Sequence, residues 1–192
     1  MDRLFLALFL LTIFTYGFSM EHYNIDQKKS EVRWKGKKLT GEHYGTVKIK
    51  SGMVMYEGEK IDSGEVIIDM ASILNQDLSD KTNNEKLVGH LKSDDFFSVD
   101  KFPEAKIILT KIKAVKGGYD ARGDLTIKGT TSSLDFKIEE SGTGANRLLK
   151  IKTQFDRSKY NVKYGSSKFF PSIGDKIIYD DVELDVILSL EK

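Results

Sequence analysis

The chain has 192 residues, of which 40% are hydrophobic and 31% charged. This composition is ordinary for a globular protein and excludes a disordered chain. The formal net charge of +1 argues against a nucleic-acid partner, which requires a basic surface. The absence of cysteine excludes thiolate nucleophiles, thiolate zinc sites and iron–sulfur clusters.

The N-terminus has the pattern of a targeting segment. Arg3 is followed by an apolar run over residues 4–14, and Ser19 is the small residue expected before a signal-peptidase cut. The rival interpretation is a membrane anchor, but the run is shorter than the roughly 20 residues that a spanning helix needs. We therefore predict a signal peptide over 1–19 and one mature domain over 20–192. The mature domain would be periplasmic or secreted and would not span the membrane.

Period-two alternation dominates the mature chain. Val32 and Trp34 alternate with charged residues, and the final stretch from Val182 to Leu190 alternates in the same way. Each such run predicts a strand with one buried and one wet face. About nine short strands without a strand–helix–strand rhythm predict an all-β, antiparallel barrel or sandwich.

Glycine-containing pairs predict the turns between these strands. Ser51-Gly52 and Gly117-Gly118 are typical of hairpin connections. The first pair would separate a strand around Val47 from a short strand over residues 53–56.

One long segment, residues 72–102, lacks alternation. Leu87, Val88 and Leu91 have helical spacing, and Asn83 or Asn84 is a candidate N-cap. The segment is predicted to be a crossover with a short helix. It would form either the lid or mouth of a cavity or a plain cover over one barrel end.

The sequence offers little catalytic chemistry. His22, His43 and His90 have no metal-binding spacing. His90 has Asp94 at i+4, yet a structural histidine is the favoured interpretation. Nucleotide-binding and serine-hydrolase motifs are absent from the sequence. We predict no metal, no cofactor and no catalytic residue.

The inward faces of the strands form the informative feature. A barrel of about eight strands is either filled by its own side chains or holds one small ligand, and alternation leaves both options open. The predicted inward residues are Trp34, Val47, Ile49, Val66, Ile68, Ile107, Leu109, Leu125, Phe136 and Phe155.

Five stretches together resemble the YceI-like family: residues 66–73, 90–97, 101–105, 123–131 and 155–158. The most specific of them reads His-Leu-Lys-Ser-Asp-Asp-Phe-Phe and is soon followed by Phe-Pro. The resemblance covers about residues 22–190, in the order that the family has.

The resemblance implies an extended, lipocalin-like antiparallel barrel that holds a polyisoprenoid or other long-chain lipid. It also implies a periplasmic or secreted protein, often a homodimer, without an established catalytic residue. The chain is longer and more aromatic than the family after the Arg157-Ser158 motif. The expected contacts at the barrel mouth are His90, Phe96, Phe97, Arg157, Tyr160, Tyr164, Phe169 and Phe170, with His90 and Arg157 either touching a polar head group or serving the structure.

Three functional hypotheses follow. The first is a lipid-binding protein that sequesters or carries an apolar amphiphile, and it is the one that the resemblance favours. The second is an interaction protein with a filled core. The third is a lipid-modifying enzyme that would use His90 with Asp94 or Asp95.

The N-terminal pattern generates a direct prediction. Protein isolated from the native cell envelope should begin at Met20 or within a few residues of it, because the peptidase would cut after Ser19. N-terminal sequencing measures this start. A mature protein that retains residues 1–19 would contradict the prediction.

Overall fold

The computed structural model describes residues 19–172 and 174–192, so the predicted signal peptide lies, apart from Ser19, outside the described residues. Within these ranges the chain forms nine strands and one α-helix. The elements are β1 (Met20–Ile25), β2 (Glu31–Lys38), β3 (Gly41–Glu57), β4 (Lys60–Asn75), α1 (Lys81–Lys92), β5 (Glu104–Val115), β6 (Gly118–Ile127), β7 (Thr130–Ser141), β8 (Leu148–Asp156) and β9 (Ile178–Glu191).

The strands form one closed antiparallel barrel. Strands β2 to β9 pair in the order β3-β2-β9-β8-β7-β6-β5-β4, and the pairing of β3 with β4 closes the ring of eight. Strand β1 lies in line with β2 and pairs with the second half of β3 on one side and with the end of β9 on the other. The predicted all-β barrel of about eight strands, with a short helix in a crossover, is confirmed.

Strand β3 corrects one predicted turn. Ser51-Gly52 lies inside this single long strand, so the separate short strand over residues 53–56 is wrong. The register shifts between Ile49 and Ser51, which marks a β-bulge. A side chain on Gly52 would collide with Ile25 and lie 2.9 Å from the Glu65 carbonyl oxygen. The glycine therefore permits close packing, a role that sequence alone does not distinguish from a turn.

Helix α1 begins one turn earlier than predicted. Asp80 is its N-cap, and its side chain accepts a hydrogen bond of 2.8 Å from the backbone N–H of Asn83. The predicted Asn83 or Asn84 cap is wrong. The Asn84 side chain instead donates to the carbonyl oxygens of Asn75 and Leu78, at 3.1 and 3.0 Å. These bonds tie the helix to the end of β4.

The barrel has two different ends. The helix end carries the β2–β3 turn, the crossover with α1, the β6–β7 turn and the segment between β8 and β9. The closed end carries the β3–β4 and β5–β6 turns and the connection from β7 to β8. Gly117, with φ of 81°, supports the predicted β5–β6 turn.

Arg147 organises the closed end. Its side chain is 3% exposed, bonds Glu140 at 3.3 Å and also pairs with Glu59. Its guanidinium lies 4.1 Å from the centre of the Tyr56 ring. Burial, reinforced by a hydrogen bond of 2.7 Å to Glu140, raises the pKa of Tyr56. A paired polar group thus lies beneath the apolar core at this end.

Replacing Arg147 with alanine should lower the free energy of unfolding by about 3 kcal/mol, because the substitution leaves the partly buried Glu140 carboxylate without its cation. The matched control is Arg122→Ala. Arg122 forms a bidentate pair with Asp135 on the exposed outer face, so its loss should cost no more than about 1 kcal/mol. Urea denaturation measures the free energy of unfolding of both variants. Equal losses of stability in the two would contradict the prediction.

Candidate functional site: an apolar cavity at the helix end

A cavity of about 180 Å³ opens at the helix end of the barrel. The surface that faces it is almost wholly apolar, and it is built by strands, by α1 and by the residues that follow the helix. Its apolar lining comprises Val32, Trp34, Val47, Ile68, Met70, Ile73, Leu87, Leu91, Phe96, Phe97, Ala105, Leu125, Ile127, Phe155, Ile178, Val182 and Leu184.

Only half of the predicted inward residues line this cavity, namely Trp34, Val47, Ile68, Leu125 and Phe155. Alternation identifies which face of a strand points inward but not how far along the barrel a residue lies. The other inward residues pack elsewhere: Ile49, Val66, Leu109 and Phe136 at the closed end, and Ile107 against the helix-end cluster but off the cavity lining.

Several lining residues were missed by the sequence reasoning. Val182 and Leu184 belong to an alternating strand, and this pattern indicates that they face inward. Only the structure shows that Leu184 pairs with Trp34. Leu87 and Leu91 share one helical face, but nothing in the sequence indicates that this face of α1 closes the side of a cavity.

The rim of the cavity carries polar groups that the sequence reasoning also missed: Lys37, Lys38 and His43. His43 Nδ1 lies 2.7 Å from Asp77 Oδ2. Burial alone would raise the pKa of Asp77, but hydrogen bonds from the Tyr44 N–H and from His43 outweigh it and lower the pKa. His43 at the rim is therefore held by the Asp77 carboxylate, and the ammonium group of Lys37 pairs with Glu183.

Arg157 borders the cavity but is only 1% exposed, and its guanidinium binds backbone oxygens. Its guanidinium donates to the carbonyl oxygens of Val162, Ile178 and Tyr179, at 3.0, 3.0 and 3.2 Å. Burial lowers its pKa, and the nearby Asp180 opposes that shift. The geometry fits a structural role in which Arg157 fastens the segment between β8 and β9 to the barrel.

His90 lies beside the cavity rather than in its lining. Its ring packs edge-on against Phe96 and Tyr164, with ring centres 4.9 and 4.5 Å away. Its Nε2 lies 3.4 Å from Asp95 Oδ2, whereas the carboxylate of Asp94 pairs with a lysine. The structure does not bring His90 and Asp94 together, because α1 ends at Lys92.

The remaining predicted mouth residues differ in exposure. Phe96 and Phe97 line the cavity. Tyr160 is buried, and its ring packs edge-on against Phe155 with centres 5.7 Å apart. Tyr164, Phe169 and Phe170 are exposed and lie off the lining.

Within residues 19–172 and 174–192, no three histidine, aspartate or glutamate side chains gather closely enough to hold a metal ion. Likewise, none of the helices in the described part of the chain is both long enough and apolar enough to cross a membrane.

A family model described as the YceI-like domain matches residues 23–190. The chain belongs to the YceI-like family. Among its relatives, a UPF0312 protein of Photorhabdus laumondii is 29% identical over 150 residues, which are 77% of this chain and 72% of the relative. A UPF0312 protein of Pseudomonas putida is 30% identical over 126 residues, covering 64% of this chain and 63% of the relative.

Solved structures share the fold. BcnA of Burkholderia cenocepacia superimposes with a TM-score of 0.68 at 24% identity, over 88% of this chain and 99% of BcnA. A polyisoprenoid-binding domain from Saccharophagus degradans, implicated in plant cell wall breakdown, superimposes with a TM-score of 0.60 at 16% identity. That alignment covers 88% of this YceI-like chain and 97% of the domain. At these identities the comparison establishes the lipocalin-like fold.

The Arg157 contacts generate a prediction. Arg157→Lys should lower the free energy of unfolding by about 1–3 kcal/mol, because one ammonium cannot reach three carbonyls and some remain buried without a donor. Protease cleavage in the segment between β8 and β9 should also accelerate before global unfolding.

The matched control for this variant is Arg33→Lys. Arg33 forms an exposed pair with Glu31, so the same exchange there should change neither stability nor cleavage. Urea denaturation and limited proteolysis measure the two effects. An Arg157→Lys protein as stable as the control would contradict the structural role.

Proposed function

We propose that this YceI-like protein binds a polyisoprenoid or similar long apolar amphiphile inside its barrel and sequesters or carries it in the cell envelope. The observation that carries the proposal is the apolar cavity, which opens at one end and is lined almost wholly by carbon. A polar ligand would lose its hydrogen bonds to water there without replacing them. An apolar chain has no hydrogen bonds to water to lose.

The energetics suit a lipid tail. Each methylene removed from water contributes about 0.8 kcal/mol, so tail burial can offset the entropy lost on association without any charged contact. A polar head would remain at the rim, within reach of Lys38 and His43. This arrangement supports an amphiphile rather than a pure hydrocarbon.

The alternatives receive less support. An interaction protein with a filled core does not need the cavity at the helix end. A lipid-modifying enzyme would need His90 at the ligand, yet His90 lies off the lining and next to the exposed Asp95. The binding function therefore remains the better proposal.

We also propose export from the cytoplasm, which rests on the N-terminal pattern of residues 1–19. The homodimer remains a prediction from the family resemblance.

Trp34 provides a direct test of binding. It is the single tryptophan of the chain and lines the cavity, so its fluorescence should respond to an apolar ligand. Titration with geranylgeraniol should give a saturable change, and organic extraction of protein purified from its native host should release a lipid. If the titration gives no saturable change and the extraction releases no lipid, the interaction protein with a filled core becomes the better interpretation.

A substitution at Gly36 sharpens this test. Gly36 lines the cavity, and a Cβ built there meets nothing within 4 Å. Gly36→Leu should therefore fold with unchanged or slightly higher ligand-free stability, while its side chain occupies ligand space and weakens geranylgeraniol binding at least tenfold.

The matched control is Gly123→Leu, also in a strand. A Cβ there would lie 3.0 Å from Ile107 Cγ1 and from the Ile108 carbonyl oxygen, so overpacking should cost about 1–3 kcal/mol. Thermal unfolding of the ligand-free proteins and the Trp34 titration measure both. Unchanged binding by a folded Gly36→Leu protein would contradict a ligand in this cavity.

A further inference from the structure

The cavity ends partway down the barrel. The buried apolar residues form two clusters, one at the closed end and one at the helix end. Val47 and Ile68 pack against both clusters. Val32 belongs to the closed-end cluster and also faces the cavity. These three residues are the floor of the cavity, on three neighbouring strands.

Close-packed side chains occupy the barrel beneath the floor. Ile49, Val54 and Tyr56 are almost fully buried there, and Arg147 with its carboxylate partners lies beyond them. Val32, Val47 and Ile68 are β-branched, and such side chains have restricted rotamers. A close-packed interior also resists displacement. The floor residues therefore do not move aside to admit a longer ligand.

We propose that this floor limits how much of a ligand enters the barrel, so that the protein binds the terminal portion of one apolar chain and leaves the rest outside the mouth. The inference rests on the proposed function and deepens it. The ligand is then an amphiphile with one narrow tail. Its affinity is set by roughly the last seven or eight carbons of that tail and not by the full length.

The dimensions support this limit. Along β2 the lining runs from Lys38 at the rim to Val32 at the floor, six residue steps that correspond to roughly 20 Å of strand. The cavity volume is about 180 Å³, and an apolar cavity of about 150 Å³ holds one benzene molecule. By the same comparison, a cavity of this volume accepts a chain segment of about seven or eight carbons.

The test is a chain-length series. Straight-chain primary alcohols of six to sixteen carbons, kept below the concentration at which they aggregate, are titrated against Trp34 fluorescence. While the tail is filling the cavity, each added methylene should tighten Kd about fourfold. Beyond about seven or eight carbons the affinity should level off. The polyisoprenoid alcohols farnesol and geranylgeraniol should then bind with similar affinity.

Substitutions at the floor residues test whether the inserted chain ends there. Ile68→Ala should move the plateau to chains about two or three carbons longer, because the truncation leaves space at the floor. The matched control is Ile61→Ala, on the same strand but within the closed-end cluster, which should lose stability without moving the plateau. Val47→Phe should move the plateau to shorter chains, and it keeps the test valid if Ile68→Ala does not fold.

The outcomes separate the two proposals. Affinity that keeps rising about fourfold per carbon to sixteen carbons, or a plateau that neither floor variant moves, would overturn the depth limit and leave lipid binding intact. If no alcohol and no isoprenoid of any length changes the fluorescence, both proposals fail. A plateau that shifts in opposite directions in Ile68→Ala and Val47→Phe supports the limit.

Discussion

Closure of the sheet by the pairing of β3 with β4 is the constraint on which the rest of the structure depends. A closed ring of eight antiparallel strands leaves no free edge among β2 to β9 and encloses a fixed interior. Side chains fill this interior at the closed end, whereas the helix end holds an apolar cavity.

The two ends use arginine in different ways. At the closed end, Arg147 pairs with the carboxylates of Glu59 and Glu140 and stacks on Tyr56, so a charge-paired network lies beneath the apolar core. At the helix end, Arg157 borders the cavity, but its guanidinium binds backbone carbonyls and exposes almost no polar surface there. Each buried cation has partners, which is the condition under which a folded interior tolerates one.

The cavity also explains why exposure inside the barrel is uneven. Trp34, Val47 and Leu184 point inward and yet remain only partly buried, because they face the cavity. Inward residues at the closed end, such as Val54 and Leu188, are almost fully buried. A ligand tail would complete the burial of the first group, so binding and folding use the same apolar face of each strand.

The sequence by itself determined the antiparallel strands, the short helix and the inward faces, because these depend on alternation and helical spacing within each segment. It also carried the family resemblance. Only the tertiary structure decided that Ser51-Gly52 lies within a strand, and that Ile49 belongs to a filled core while Ile68 faces a cavity. Depth along the barrel depends on strand register and on how β3 bulges against β4, and pairing between distant segments is not encoded in the local pattern of either one.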